Sequence, residues 1–405
     1  MHIVLVTITY PPEIRAISFM MQELAEELAL RGYKVTVITS QPKTYLTDEL
    51  SQKSYKELSV ENGIQVIRVK TLLFHKDNYL IRGISEICLP FLFYAKIKKY
   101  IKEKIDSIIV YSPPLPLAIL GIKVKKRFGA KYLLNIQDIF PQNAIDLGII
   151  KNRFLEKFFV RMEKKIYRKA DKITAHSEYN RNFLIHNKNV PAKKISSIYN
   201  WIDLNLYNQI EKTGALRTRY GLENKFIFLH AGIIGPAQGM DFIIKIAKEV
   251  RDITNICFLL VGDGSERPKL EEMVETYNLK NVLFKPLLSK LEYPLLAKDA
   301  NVGLACLSRK NRTPVYPGKI LGYMASSIPI VALLNKESDG HRIIQQAQCG
   351  YSLIVNNPNK AAKLIMKVYN EKENLEQFGR NGFNYAKANF SKKACMDKLE
   401  ELIKY

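Results

Sequence analysis

The first half of the chain alternates short apolar runs with amphipathic segments. Apolar runs occupy residues 3–8 and 34–39, and residues 19–29 between them place apolar side chains at helical spacing before Gly32. A strand, a helix and a second strand in this order predict a parallel sheet with helices packed on its faces. Further strands are predicted at residues 64–69, 107–111, 132–136, 172–175 and 195–199.

The alternation stops over the polar residues 204–224 and restarts at residues 225–231. The strands predicted after that point, separated by helical patterns, are residues 256–261, 281–284, 302–304, 329–333 and 351–354. A chain of 405 residues is longer than a single core usually grows. We therefore expect two similar α/β domains that face each other across a cleft, residues 1–203 and 204–387.

Several strands of the predicted first sheet end in loops rich in proline and polar residues. These loops are residues 10–15, 112–114 and 137–141. The carboxyl ends of parallel strands meet at one edge of a sheet, and open α/β sheets bind ligands at that edge. The sequence therefore predicts that the three loops line a cleft.

Three turns of the predicted second domain have the composition of a phosphate site. Residues 232–239 read Gly-Ile-Ile-Gly-Pro-Ala-Gln-Gly, residues 261–264 read Val-Gly-Asp-Gly, and Lys319 opens a short helix after Pro317 and Gly318. Glycines allow backbone amides to approach a ligand closely, and a helix start with a lysine attracts anions. We expect a diphosphate site here; ordinary turns with a solvated lysine are the alternative.

The chain is strongly basic, with a net charge of +23, which favours anionic partners. Residues 79–104 and 151–172 concentrate this charge and interleave it with aromatic and aliphatic residues. Basic amphipathic helices bind anionic bilayers, so we expect a membrane surface as a partner. The alternative is that these helices pack on the sheet with their lysines solvated. Nucleic acid is not expected, because no nucleic-acid-binding motif accompanies the charge.

Five widely spaced cysteines include no pair at metal-ligand spacing, so we expect neither a disulfide framework nor a metal site. The chain enters its first strand without a basic start or a cleavage site, and no apolar run reaches the length of a membrane span. These features predict a cytoplasmic protein, peripheral on the inner face of the cell membrane.

In this order and spacing, the motifs resemble glycosyltransferase family 4, retaining enzymes with the GT-B fold of two Rossmann-like domains. The resemblance is to its bacterial O-antigen, capsule and colanic-acid branch, including fucosamine transferase-like proteins. It covers essentially the whole chain and rests on Tyr10-Pro-Pro-Glu13, Gln137-Asp-Ile-Phe-Pro141, Asn200-Trp-Ile-Asp203, the two glycine turns, and Pro317-Gly-Lys-Ile-Leu-Gly-Tyr-Met-Ala325.

The resemblance implies a nucleotide-sugar donor, a UDP-sugar, held mainly by the second domain, and an acceptor on the first. It implies no cofactor and no obligatory metal. Lys319 would face the donor phosphates and Asp138 the reacting sugar, both as catalytic residues. The implied substrate-binding residues are Arg15, Gly232, Gly235, Gly262, Asp263, Arg309, Arg312, Tyr316, Gly318 and Ile320.

The implied activity is transfer of an N-acetylated amino or deoxyamino sugar to a polyprenyl-diphosphate-linked saccharide, in bacterial cell-surface polysaccharide biosynthesis. Two alternatives stay open: a UDP-N-acetylhexosamine epimerase of the GT-B fold, and a catalytically silent GT-B binding protein. The second is motivated by Pro314 and Gly322, which stand where many members have a pair of glutamates.

Two further interpretations have structural alternatives. Asp138 could cap a helix instead of facing a sugar. The resemblance implies that a C-terminal helix, residues 388–405, crosses back to the first domain, whereas its charged pattern would also fit a solvated tail.

Overall fold

The computed structural model describes residues 1–44, 46, 48–71, 79–289, 291–371 and 375–404, and the side chains of these residues other than 79–82. The first side chains of the basic segment predicted at residues 79–104 therefore lie outside the description. The chain divides into two compact units. Unit 1 comprises Met1–Tyr199 and Cys395–Tyr405, and unit 2 comprises Asn200–Ala394.

Unit 1 is built on one largely parallel sheet. Its described strands are β1 His2–Val6, β2 Lys34–Ser40, β3 Leu58–Glu61, β4 Ile64–Val69, β5 Ser107–Ser112, β6 Lys131–Ile136, β7 Lys172–Ala175 and β8 Ile195–Ser197. They lie in the order β3-β4-β2-β1-β5-β6-β7-β8, and only the edge strand β3 pairs antiparallel. Every residue of the central strand β1 is buried, because helices cover both faces of a parallel sheet.

The described helices up to β8 are α1 Ala16–Leu30, α2 Asp48–Ser51, α3 Tyr79–Tyr100, α4 Ile119–Phe128, α5 Gln142–Asp146, α6 Arg153–Lys169 and α7 Glu178–Lys188. Short 3₁₀ turns occupy Leu115–Ala118 and Ala192–Lys194. Helix α6 begins where the side chain of Asn152 accepts hydrogen bonds from two amides of its first turn. Helix α4 ends at Gly129, which has a φ of 68°.

Unit 2 repeats the architecture. Its described strands are β9 Phe226–Ala231, β10 Ile256–Val261, β11 Val282–Lys285, β12 Val302–Cys306, β13 Ile330–Leu334 and β14 Gly350–Ile354, all parallel in the order β11-β10-β9-β12-β13-β14. Its helices are α8 Leu204–Asn208, α9 Ala215–Tyr220, α10 Asp241–Glu249, α11 Arg267–Thr276, α12 Glu292–Asp299, α13 Lys319–Ala325, α14 Gly340–Ala347, α15 Pro358–Asn370 and α16 Leu375–Asn389.

The predicted alternation of strands and helices is confirmed, with two exceptions. Strand β3 was not predicted, because Leu58 and Val60 alternate with polar residues over only four positions. The polar stretch 204–224 is partly helical, because the side chain of Asp203 accepts from the Asn205 amide and so caps α8.

The last helix, α17 Lys392–Lys404, is not a solvated tail. Its apolar side chains Met396, Leu399 and Ile403 are buried. Arg31 donates to Glu400 at 2.6 Å, and the hydroxyl of Tyr33 donates to the same carboxylate at 2.6 Å. The end of the chain is therefore attached to unit 1 by both apolar and ionic contacts.

Candidate active site

Two glycine turns at the carboxyl edge of the unit 2 sheet pack backbone against backbone. The Gly232 amide donates to the carbonyl of Val261 at 2.8 Å, and the Ile234 amide donates to that of Asp263 at 2.9 Å. Gly262 has a φ of 152°, and a Cβ there would lie 1.8 Å from the Gly232 carbonyl oxygen. This approach therefore requires glycine, and it extends the β9–β10 pairing beyond the strands.

Lys319 lies over the first of these turns. A Cβ on Gly232 would lie 3.4 Å from its Nζ atom. The side chain is partly buried, and it makes no hydrogen bond or ion pair within the described part of the chain. Burial lowers the pKa of Lys319 to about 8. An ammonium group held without an anionic partner beside exposed backbone is suited to bind an anion.

Some of the amides at the nearby helix starts already donate to carbonyls of their own first turn. The amide of Ile320 donates to Pro317 at 3.1 Å, and that of Leu321 donates to Gly318 at 3.2 Å. At α10 the amide of Phe242 likewise donates to the carbonyl of Gly239. The amides of Ile320, Leu321 and Phe242 are therefore not free, whereas those of Gly318 and Lys319 donate to no described residue.

The remaining predicted residues of unit 2 differ in how far their side chains are exposed to solvent. Asp263 is exposed, and its carboxylate accepts from the Gly264 amide. Arg309 and Arg312 are exposed on the loop after β12. Tyr316 is buried, with its ring 6.2 Å from that of Phe390.

The other three predicted positions differ in how far they are open to a ligand. Gly318 has open space where a side chain would stand, whereas the Ile320 side chain is fully buried. The Gly235 amide donates to Oε1 of Gln238 at 3.1 Å. Because that acceptor is a side chain, it can be displaced, and a ligand could take its place on the Gly235 amide.

In unit 1, Asp138 lies just beyond β6 at the carboxyl edge of the sheet. Burial raises the pKa of its carboxyl group. Helix α5 begins only at Gln142, and no side chain caps it, so the alternative that Asp138 caps a helix is wrong. Its carboxyl group makes no hydrogen bond to another described residue, although it is partly buried.

Tyr111 lies within electrostatic reach of this carboxyl group and of Arg15. Burial and the negative charge of Asp138 raise the pKa of Tyr111, while Arg15 opposes that rise. The loop that carries Arg15 is held by Glu13, whose buried carboxylate accepts from the amides of Lys43 and Thr44. The structure thus brings two predicted residues, Arg15 and Asp138, together around a tyrosine that the sequence analysis did not select.

Comparison with known proteins decides what kind of chain this is. A model described as Glycosyltransferase Family 4 matches residues 17–206, and one described as Glycosyl transferases group 1 matches residues 214–385. The chain is a glycosyltransferase.

Named relatives and solved structures agree with these two matches. A putative colanic acid biosynthesis glycosyl transferase, WcaI of Escherichia coli, is 27% identical over 80% of this chain and 81% of its own length. An N-acetylgalactosamine-N,N'-diacetylbacillosaminyl-diphospho-undecaprenol 4-alpha-N-acetylgalactosaminyltransferase of Campylobacter jejuni is 23% identical over 78% of this chain and 81% of its own. HepE of Anabaena in complex with UDP-glucose superposes with a TM-score of 0.76 at 16% identity, covering 100% and 99% of the two chains. The glycosyltransferase therefore has the predicted GT-B fold.

The glycosyltransferase has no room for a side chain at Gly322. A Cβ there would lie 2.5 Å from the hydroxyl oxygen of Tyr293 and 2.8 Å from its ring. A glutamate at Gly322 would therefore require Tyr293 to move. Sequence reasoning noted the missing glutamate but not this tyrosine, because residues so far apart along the chain carry no common pattern.

Sequence reasoning also missed two buried histidines of the glycosyltransferase. His230 lies in β9; both its ring nitrogens are buried without a completed hydrogen bond, and burial with the nearby Lys319 charge lowers its pKa well below the usual value. His176 follows β7, and burial lowers its pKa to about 4. A histidine within a strand and one beyond a strand have no motif that would identify them, so only packing reveals them.

The described residues were also compared with what a membrane span and a metal site require. No described helix is both long and apolar enough to cross a membrane. Among the same residues, no three or more histidine, cysteine, aspartate or glutamate side chains come together as a metal would require.

Proposed function

We propose that this glycosyltransferase moves a sugar from a UDP-sugar to a lipid-linked saccharide, with retention of anomeric configuration, in bacterial cell-surface polysaccharide biosynthesis. The observation that carries the proposal is the unpartnered Lys319 ammonium over the Gly232 turn. The names of the E. coli and C. jejuni relatives support the pathway and the lipid-linked acceptor, and the Anabaena complex supports a UDP-sugar. A fucosamine-type donor stays a prediction.

In this proposal Lys319 contacts the diphosphate of the donor. As the bond from the anomeric carbon to the phosphate oxygen breaks, negative charge grows on the departing diphosphate, and a nearby ammonium stabilises it. The Gly232 and Gly235 turn leaves space for the phosphate oxygens next to that ammonium. We expect donor binding without a divalent cation, because a lysine supplies the charge that a metal would otherwise provide.

Asp138 is proposed to contact a hydroxyl group of the reacting sugar. A partly buried carboxyl group without a protein partner gains a hydrogen bond when a hydroxyl donates to it. Tyr111 lies within electrostatic reach of both Asp138 and Arg15, so all three residues would face the same sugar. These three residues give unit 1 a polar site of low net charge, which is suited to a saccharide.

The test is isothermal titration of the purified chain with UDP, GDP and CDP, first with EDTA and then with magnesium. We expect UDP to bind in EDTA and Lys319→Ala to lose at least tenfold in affinity. Lys336→Ala is the matched control, because Lys336 is an exposed lysine of unit 2. Binding of none of the nucleotides would favour a silent binding protein. UDP binding with conversion of a UDP-N-acetylhexosamine, and no transfer, would favour the epimerase.

A further inference from the structure

Helices α3 and α6 each expose apolar side chains to solvent, in addition to those that they bury in the core. On α3, Ile84 is 60% exposed, Ile87 36% and Phe91 57%. On α6, Phe154 is 84% exposed, and Leu155 and Phe158 are each 43% exposed. The core is contacted by other side chains of the same helices, among them Leu89, Phe93 and Ile97 on α3 and Phe159 and Ile166 on α6. The first half of each helix therefore has a second apolar face.

These two apolar faces lie at the same edge of the unit 1 sheet. Helix α3 connects β4 to β5 and α6 connects β6 to β7, so each runs antiparallel to the strands and begins at their carboxyl ends. Helix α4 contacts both of them, and its Lys123 ammonium lies 4.5 Å from the Phe91 ring centroid. The carboxyl edge also carries Asp138. Exposed apolar residues and the polar site thus share one edge of the unit.

Positive charge accompanies the exposed apolar side chains of α6 and is concentrated at the end of α3. On α6 the exposed cations are Lys157, Arg161, Lys164, Lys165, Arg168 and Lys169. The two acidic residues of α6 cancel little of this charge. Glu163 is buried and accepts from Lys188, and Glu156 is only partly exposed. At the end of α3, Lys96 and Lys99 pair with Glu57, which precedes β3, whereas Lys98 on α3 and Lys102 just after it are exposed.

We propose that the docking face, defined as Ile84, Ile87, Phe91, Phe154, Leu155 and Phe158 with the cations around them, binds an anionic lipid bilayer. The six apolar side chains enter the interface, and the carboxyl edge of the unit 1 sheet lies at the lipid surface. This orientation rests on the proposed function, since it brings the head of a lipid-linked acceptor to the edge that holds Asp138.

The pattern favours lipid over other occupants. Apolar side chains on two helix starts, with lysine and arginine along α6 and Lys123 of α4 against Phe91, match a surface that is anionic outside and apolar just beneath. A nucleic acid would use the cations but would leave the aliphatic Ile84, Ile87 and Leu155 without a function. A second copy of this chain would bring the same cations into repulsive contact.

The test is flotation of the full chain with vesicles of neutral lipid and of the same lipid with about a third phosphatidylglycerol. We expect at least tenfold stronger partitioning to the anionic vesicles, and a tenfold loss for Phe154→Ser with Phe158→Ser. The triple change Lys157→Glu, Lys164→Glu, Lys165→Glu should cause a similar loss. Matched controls are Leu30→Ser on α1 and Lys360→Glu, Lys363→Glu, Lys387→Glu in unit 2, all exposed, which should bind as wild type.

Orientation is tested with tryptophan and brominated lipid. Phe154→Trp should shift its emission to the blue and be quenched, whereas Lys102→Trp, just beyond the far end of α3, should not. The proposal would be overturned by any of three results. These are equal quenching of the two tryptophan variants, vesicle partitioning of the Phe and Lys variants that equals the wild type, and release of the chain from vesicles by added RNA. UDP titration of the same proteins separates the two proposals. If the wild-type chain binds UDP normally but does not bind vesicles, only the docking face is refuted. If it binds vesicles but not UDP, only the proposed function is refuted.

Discussion

At the carboxyl edge of unit 2, glycine backbone surrounds one lysine, whereas the same edge of unit 1 carries the partly buried side chains of Arg15, Tyr111 and Asp138. In unit 2 the close approach of Gly262 to Gly232 leaves no room for a side chain at Gly262, and among the described residues the Lys319 ammonium has no anionic partner. In unit 1 burial raises the pKa of both Asp138 and Tyr111, which favours their uncharged forms. Under the proposed function, this edge would bind phosphate in unit 2, where glycine backbone surrounds a lysine, and a sugar in unit 1, where polar side chains remain.

The largest effect that tests this comparison is expected from Lys319→Ala. Removal of a charge that stabilises a transition state typically lowers turnover by about 10²–10³. We expect that loss in a transfer assay with a UDP-sugar, while the circular dichroism spectrum stays that of the wild type. Lys319→Arg should recover part of the turnover if charge is what matters. Near-normal turnover of the alanine variant would break the comparison, because unit 2 would then have no cationic site.

The next largest effect is expected from Gly262→Ala, which tests the glycine backbone. The new Cβ would meet the Gly232 carbonyl, and the φ of 152° would strain any other residue. We expect a loss of about 2 kcal/mol or more in the free energy of unfolding, measured by urea denaturation. Gly318→Ala is the control, because nothing lies within 4 Å of its Cβ position. Equal stability of both variants would show that the turns can separate.

A smaller effect is expected from Asp138→Asn in unit 1, which should lower the activity but raise the stability. Transfer should fall about tenfold, since one hydrogen bond to the sugar changes. The raised pKa means that ionisation of Asp138 destabilises the folded state, and this penalty grows as the pH rises above the unfolded pKa. The variant should therefore melt higher than wild type at pH 8, by on the order of 2 °C, and lose that advantage near pH 3. A lower melting temperature at pH 8 would show that the carboxylate has a structural partner.

The smallest effect is the pH dependence of UDP affinity. Lys319 is charged below its pKa of about 8, and a bound diphosphate favours the charged form. Affinity measured by titration should therefore be constant below pH 7 and weaken severalfold as the pH rises to 9. Without ligand, the free energy of unfolding changes with pH in the opposite direction to the UDP affinity. Between pH 8 and 10.5, Lys319 is protonated in the unfolded chain but deprotonated in the folded chain, so the folded state becomes more stable as the pH rises. A UDP affinity that is the same at pH 7 and 9, or that follows the wild-type profile in Lys319→Ala, would remove Lys319 from the phosphate site.

The sequence by itself determined the order of strands and helices and the three turns that meet in unit 2. Those features are local: apolar period, glycine and proline positions, and the edge at which parallel strands end. The same reasoning selected Lys319, whereas Asp138 was selected through the resemblance to a known family. It could not say whether Asp138 caps a helix, because that depends on α5 beginning only at Gln142.

Only the tertiary structure decided which groups keep a free hydrogen-bonding or ionic capacity. The amides of Ile320 and Leu321 are used by Pro317 and Gly318, the space beside Gly322 is filled by Tyr293, and α3 turns one apolar face to the core and another outward. Each of these depends on atoms brought together from other turns or other elements. The sequence pattern around a residue indicates what its side chain can bind. Whether the side chain keeps a free donor, acceptor or charge depends on the neighbours that folding places beside it.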